Sequence, residues 1–135
     1  MSEIFILDSS ILIDDLRTGC YSSLIASRTG LLRTSSVVLA ELWRGALSEA
    51  DRRIVAGLPG NRPILTPTEK NWIESGQILA DMHRDKGFEP RKLRSLHFDV
   101  LIALTARAYG AMLIASNRSD FELIREYRDF KLEVW

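Results

Sequence analysis

The chain has one cysteine, Cys20, and two histidines, His83 and His97. A single thiol excludes an internal disulfide and any cysteine-based metal site. With so few sulfur and imidazole donors, a zinc centre lacks good ligands. A reducing, cytoplasmic setting fits. Neither sign of charge is in excess: 18 basic and 18 acidic side chains give a formal net charge of zero. That removes any bulk electrostatic case for nucleic-acid binding and leaves only local segregation of charge. No apolar run approaches the roughly 20 residues needed to span a bilayer. Glu3 stands where a signal peptide would carry positive charge, so neither membrane nor secretion is expected. Repeats, low-complexity tracts and linkers are also lacking.

What remains reads as a single domain over residues 1–135, long enough to bury one sizeable core. Residues 4–7 (IFIL) are continuously apolar, as in a fully buried strand. Ser9 and Ser10 are placed to cap a helix over 11–17 that stops at Gly19, and a second helix over 21–27 follows. A weak strand is expected at 31–35, then a helix from Ser35 or Ser36 to Leu47, and another over 49–56. After the turn chemistry of GLPGNRP, residues 64 and 65 are extended, and Thr68 opens a long amphipathic helix that ends at Gly87. Its apolar set is Trp72, Ile73, Gly76, Ile78, Leu79 and Met82. A basic loop over 88–93 leads to a helix capped by Ser95 and ended by Gly110. Strand 111–115, a short helix from Ser119 or Asp120, and an alternating edge strand over 130–135 complete the chain. Strands alternating with helices predict an α/β three-layer sandwich: a mainly parallel sheet of about four to five strands with helices on both faces. In such sheets ligands bind beyond the carboxyl ends of the strands.

Four carboxylates sit among core-forming neighbours. Asp8 ends IFIL, Glu41 interrupts VVLAELW, Asp99 lies in HFDVLIAL, and Asp120 follows LIASNRS. Each has a plain structural explanation. Asp8 and Asp120 suit helix caps, Glu41 can turn its head to solvent, and Asp99 in a first helical turn suits the helix dipole. Together they carry more weight. Burying several carboxylates side by side is costly without a cation. Oxygen-only ligands select a hard ion, Mg²⁺ or Mn²⁺. Such clusters serve phosphoryl transfer and phosphodiester hydrolysis. His97, two residues from Asp99, reads as a surface or supporting residue rather than a ligand.

The segments ILDSSILID, TSSVVLAELWRGAL and FDVLIALTARAYGAMLIASNRSDFE occur in an order that resembles PIN-domain ribonucleases, and specifically VapC-like toxins of bacterial toxin–antitoxin pairs. The resemblance spans essentially the whole chain. It implies metal-dependent cleavage of RNA to a 5′-phosphate and a 3′-hydroxyl. It implies that Asp8, Glu41, Asp99 and Asp120 form the acidic metal-binding and catalytic quartet. Ser9 matches a Thr or Ser that usually follows the first Asp, and Asn117 matches a supporting polar position. Many relatives have Thr where this chain has Ala115, and Ser116 is the candidate replacement hydroxyl. The resemblance also implies a homodimer silenced by a VapB-like antitoxin.

RNA needs positive charge to hold it. The candidates are Arg17, Arg44 and Arg118, near the acidic motifs in sequence, and Arg91, Lys92 and Arg94 in the densest basic stretch. For any one of them a solvated surface charge is the plainer reading. Ile11, Leu12 and Leu16 are candidates for an interface or, equally, for the core. A receiver-type signalling domain would want a second acidic residue near Asp8 and a late Lys, where Ser9, Ser10 and Ser116-Asn117 stand instead. A dehalogenase-like phosphatase would want Asp at residue 10, which is Ser. The remaining alternative is a catalytically silent PIN-like domain that binds RNA or a protein, for which the loss of a carboxylate would be the sign.

Overall fold

A computed structural model of the chain describes residues 3–135. Five strands, β1 (Ile4–Leu7), β2 (Leu31–Ser35), β3 (Ile64–Leu65), β4 (Met112–Ala115) and β5 (Lys131–Val134), form one sheet in the order β3-β2-β1-β4-β5. Every pairing is parallel. Seven helices connect them: α1 (Ser9–Thr18), α2 (Ser22–Ser27), α3 (Ser36–Gly45), α4 (Glu49–Gly57), α5 (Glu69–Lys86), α6 (Pro90–Tyr109) and α7 (Arg118–Arg125). The expected α/β sandwich is therefore present, with five strands.

The apolar run of β1 is explained by burial on both faces. Alternate residues of a strand point to opposite sides. Phe5 and Leu7 pack with Ile11 and Ile114 and the partly buried Tyr21 and Ile25 of the α1–α2 side. Ile6 joins the larger cluster, which includes Val38, Ile78, Leu96, Leu101 and Phe121 from α3, α5, α6 and α7. Gly30, just before β2, has φ +120°, and a Cβ there would lie 2.5 Å from the Glu3 carbonyl oxygen. Only glycine permits that approach of β2 to β1. Ile11 is wholly buried, so it belongs to the core rather than to an interface. Leu12 packs partly against both clusters, and Leu16 remains half exposed.

Several local expectations are corrected. The α1 cap is Asp8 rather than Ser9 or Ser10: its carboxylate accepts from the Ser10 backbone N–H. Ser35 caps α3, accepting from Val37 and Val38 N–H, and the helix ends at Gly45 rather than Leu47. The basic loop and the Ser95 cap are both displaced, because α6 begins at Pro90 with Glu89 as its N-cap. Proline suits a first helical position, where its missing N–H costs nothing. Asp99 therefore lies in the middle of α6 and has no first-turn dipole to favour its charge. In α7 the N-cap is Asn117, so Asp120 lies in the first turn rather than at the cap.

The buried face of α5 also differs. Asn71, Ser75, Ile78 and Met82 point inward, while Trp72 and Ile73 are 51% and 59% exposed. The polar members of this face are satisfied. Asn71 and Thr68 form a reciprocal capping box, and the Ser75 hydroxyl donates to the Trp72 carbonyl and lies 3.1 Å from His97 Nε2.

Among the described residues, no helix is long and apolar enough to cross a membrane. The sheet order reverses at β1 and β4, which are neighbours although over 100 residues separate them. That reversal opens a crevice beyond their carboxyl ends.

Candidate metal centre

The residues after β1 and β4 meet in this crevice. The Asp8 N–H donates to the Ile114 carbonyl at 2.8 Å, which ties the first site residue to β4. Asp8 follows Leu7 directly, Glu41 projects from α3, and Asp99 from the middle of α6. Each offers a carboxylate oxygen, and these three oxygens all lie within 4.8 Å of one another.

Asp8 is only 3% exposed. Its Oδ2 accepts from Ser10 Oγ at 2.7 Å and, more weakly, from Ser10 N–H at 3.4 Å. Its Oδ1 is buried without a hydrogen-bond partner among the described residues. A buried, unpaired carboxylate oxygen is expensive unless a cation or a proton meets it. Ser9 Oγ donates to Glu41 Oε1 at 3.2 Å, and Ser116 Oγ donates to Ser10 Oγ at 3.0 Å. Ser116 thus acts on Asp8 through Ser10.

Burial and like charges raise the carboxyl groups of this cluster above their ordinary range. Burial raises the Asp8 carboxyl above its ordinary range, opposed by the Ser10 hydrogen bonds. Glu41 is raised by burial and then by the neighbouring Asp8. Asp99 is pushed up to about 8, first by burial and then by Asp8, Glu41 and Asp120, with Lys92 opposing. These are the signs of a site that lacks positive charge.

Asp120 stands apart from the trio. Lys92 Nζ lies 3.2 Å from its Oδ1, and Asn117 Nδ2 donates to its Oδ2 at 2.8 Å. Asn117 therefore touches the fourth carboxylate, and Ser9 the second.

The basic candidates divide. Arg44 lies over the Phe98 ring at 5.5 Å and offsets charge on Glu41. Arg17 lines an open groove of about 190 Å³ between α1, α3 and α4, with Leu16, Leu42 and Ile54, and Glu41 is part of its wall. Arg118 is engaged with Glu122 at 3.4 Å. Arg91 and Lys92 border a second depression with Phe88 and Ser95. Arg94 is exposed, and by helical geometry lies about 140° around α6 from Asp99, away from the trio.

Sequence reading gave Ser10 a part in the cap and in the turn that aims Asp8, but missed its hydroxyl as a direct partner of the carboxylate. The available signal was a hydroxyl two residues beyond a strand-end aspartate, a spacing that lets the helix turn bring it back to the carboxylate. It also missed the Lys92–Asp120 pair, for which no local signal exists.

The donor set is all oxygen, three carboxylates converge, and one buried oxygen is unpaired. This fits a hard divalent ion held by Asp8, Glu41 and Asp99.

No curated protein matches the chain by sequence. Among solved structures, a chain of the DNA-bound VapBC complex from Salmonella typhimurium is 27% identical with TM-score 0.73, covering 100% of this chain and 99% of that one. Chains of VapBC2 from Rickettsia felis (24%, TM-score 0.72) and VapBC-1 from nontypeable Haemophilus influenzae (23%, TM-score 0.71) share the fold, each covering 98% of both chains. The PIN domain family model matches residues 5–127, a stretch that contains all four carboxylates, all but the first residue of β1, and the whole of β2, β3 and β4, and on that match the chain belongs to the PIN domain family.

Proposed function

We propose that the chain is a VapC-like toxin, a ribonuclease that hydrolyses RNA phosphodiester bonds with Mg²⁺ or Mn²⁺. The observation that carries the reading is the convergence of Asp8, Glu41 and Asp99 around an unpaired buried oxygen. Its likeness to chains of VapBC complexes supports the toxin class. A VapB-like antitoxin and a homodimer accompany this reading.

A divalent ion at such a site supplies Lewis acidity at the phosphate and activates a water for attack. The chain's own residues do the rest. Asp8, Glu41 and Asp99 hold the ion, with Asp120 as the fourth carboxylate of the site. Ser10 fixes Asp8 through Oδ2 and leaves Oδ1 free for the ion, while Ser9 orients Glu41. Arg17, which shares a groove wall with Glu41, and Arg44, whose charge acts on Glu41, are the residues best placed to meet RNA phosphates.

The test is incubation with an RNA pool, with Mg²⁺, with Mn²⁺ or with EDTA, followed by mapping of the cut ends. Cleavage should need the ion and leave 5′-phosphates, and Asp8→Asn should abolish it while leaving the circular dichroism spectrum unchanged. Cutting that persists in EDTA, or an Asp8→Asn variant that cuts at the wild-type rate, would refute the assignment.

A further inference from the structure

Three carboxylates converge, yet the fourth is held by a lysine. Both oxygens of Asp120 are already engaged, Oδ1 with Lys92 Nζ at 3.2 Å and Oδ2 with Asn117 Nδ2 at 2.8 Å. The buried Asp8 Oδ1, in contrast, has no partner among the described residues. Lys92 stands seven residues before Asp99 on α6, two turns away on nearly the same face. Its side chain is 42% exposed and that of Asp120 25% exposed. A long, half-exposed lysine can leave its partner by rotating its own stem, without movement of the backbone.

We propose that Lys92 is a latch on Asp120: its ammonium occupies the fourth carboxylate and competes for it with the divalent ion held by Asp8, Glu41 and Asp99. The inference rests on the metal reading above and deepens it. Lys92 is a positioning residue in this scheme: its contact is with Asp120, and toward Asp99 it acts only by its field. The latch has two consequences. The first ion binds with three carboxylates rather than four. Asp120 joins the centre only after the ammonium has been displaced, so part of the binding energy of the ion is used to break the pair.

A plain surface ion pair would leave ion binding untouched, and a lysine acting only through its field would not need Asp120. Titration with Mn²⁺, with free ion followed by electron paramagnetic resonance, separates these cases in a double-mutant cycle. The four proteins are the wild type, Lys92→Met, Asp120→Asn and the double variant, each checked for folding by circular dichroism. Lys92→Met should tighten Mn²⁺ binding about two- to fivefold, the factor by which an ion pair of this exposure holds a carboxylate. In the Asp120→Asn background the same change should tighten binding clearly less, leaving only the field of the ammonium on Asp99. Equal tightening in both backgrounds, or none in either, overturns the latch and leaves the metal reading standing. A wild-type protein that binds no Mn²⁺ overturns both.

Discussion

Replacing Asp99 with Asn should stabilise the metal-free protein, and the gain should depend on pH. Asp99 ionises at 3.8 in an unfolded chain, and burial with three neighbouring carboxylates lifts it to about 8 in the folded one. Between these values the folded state binds a proton that the unfolded state has released, so stability falls as pH rises. Below the window both states are protonated and the group has no effect; above it the penalty is constant. The slope is about 1.4 kcal/mol per pH unit. At about pH 7 the penalty reaches about 4 kcal/mol, and at about pH 5 between 1 and 2 kcal/mol. Solvent access at the mouth of the crevice lowers the first figure toward about 2 kcal/mol. No hydrogen bond to the Asp99 carboxylate among the described residues is lost in the exchange. Thermal unfolding in EDTA should therefore place Asp99→Asn above the wild type by about 6–15 °C near neutrality, and by a few degrees near pH 5. Mn²⁺ should narrow or reverse the gap, because the ion stabilises only the protein that binds it well. A variant equal to or less stable than the wild type near neutral pH in EDTA would refute the electrostatic account. An advantage that is the same at both pH values would assign the gain to packing instead.

Two further substitutions probe the frame and the support of the site. Gly30→Ala should destabilise the fold by about 3 kcal/mol, measured by urea unfolding, because φ +120° and a Cβ 2.5 Å from a backbone oxygen leave no relaxed arrangement; an unchanged urea midpoint would contradict it. Ser10→Ala removes the 2.7 Å donor to Asp8 Oδ2 and strands the Ser116 hydroxyl. Calorimetric titration should show Mn²⁺ binding weakened about tenfold, the usual cost of losing a residue that orients a metal ligand, and unchanged affinity would remove Ser10 from the site.

The fold was legible wherever a residue's role depended on near neighbours. IFIL and AMLIA announced buried strands because both faces of a parallel strand are apolar. Gly19, Gly87 and Gly110 marked the helix ends where they fall. The four carboxylates stood out because each breaks a run of core residues. What failed was what depends on a distant partner. Trp72 and Ile73 carry the helical period of α5 yet face outward, because Asn71 and Ser75 satisfy their polar groups inside. Pro90 opens α6 instead of preceding it, and that moved Asp99 from a favourable first turn to an unfavourable interior. The pairing of Asp120 with Lys92 spans 28 residues and two helices, and no periodicity encodes it.

The order β3-β2-β1-β4-β5 has a consequence for the life of the polypeptide. The strand that delivers Asp8 leaves the ribosome well before its partner β4, and the hydroxyl contact between Ser10 and Ser116 closes over 106 residues. Long-range parallel pairing of this kind forms late in folding, after the cost of closing the loop has been met. The crevice cannot gather its carboxylates until α6 and β4 have followed β1 and α3. A chain made only through α5 would carry Asp8 and Glu41 but not Asp99, and so would have no centre.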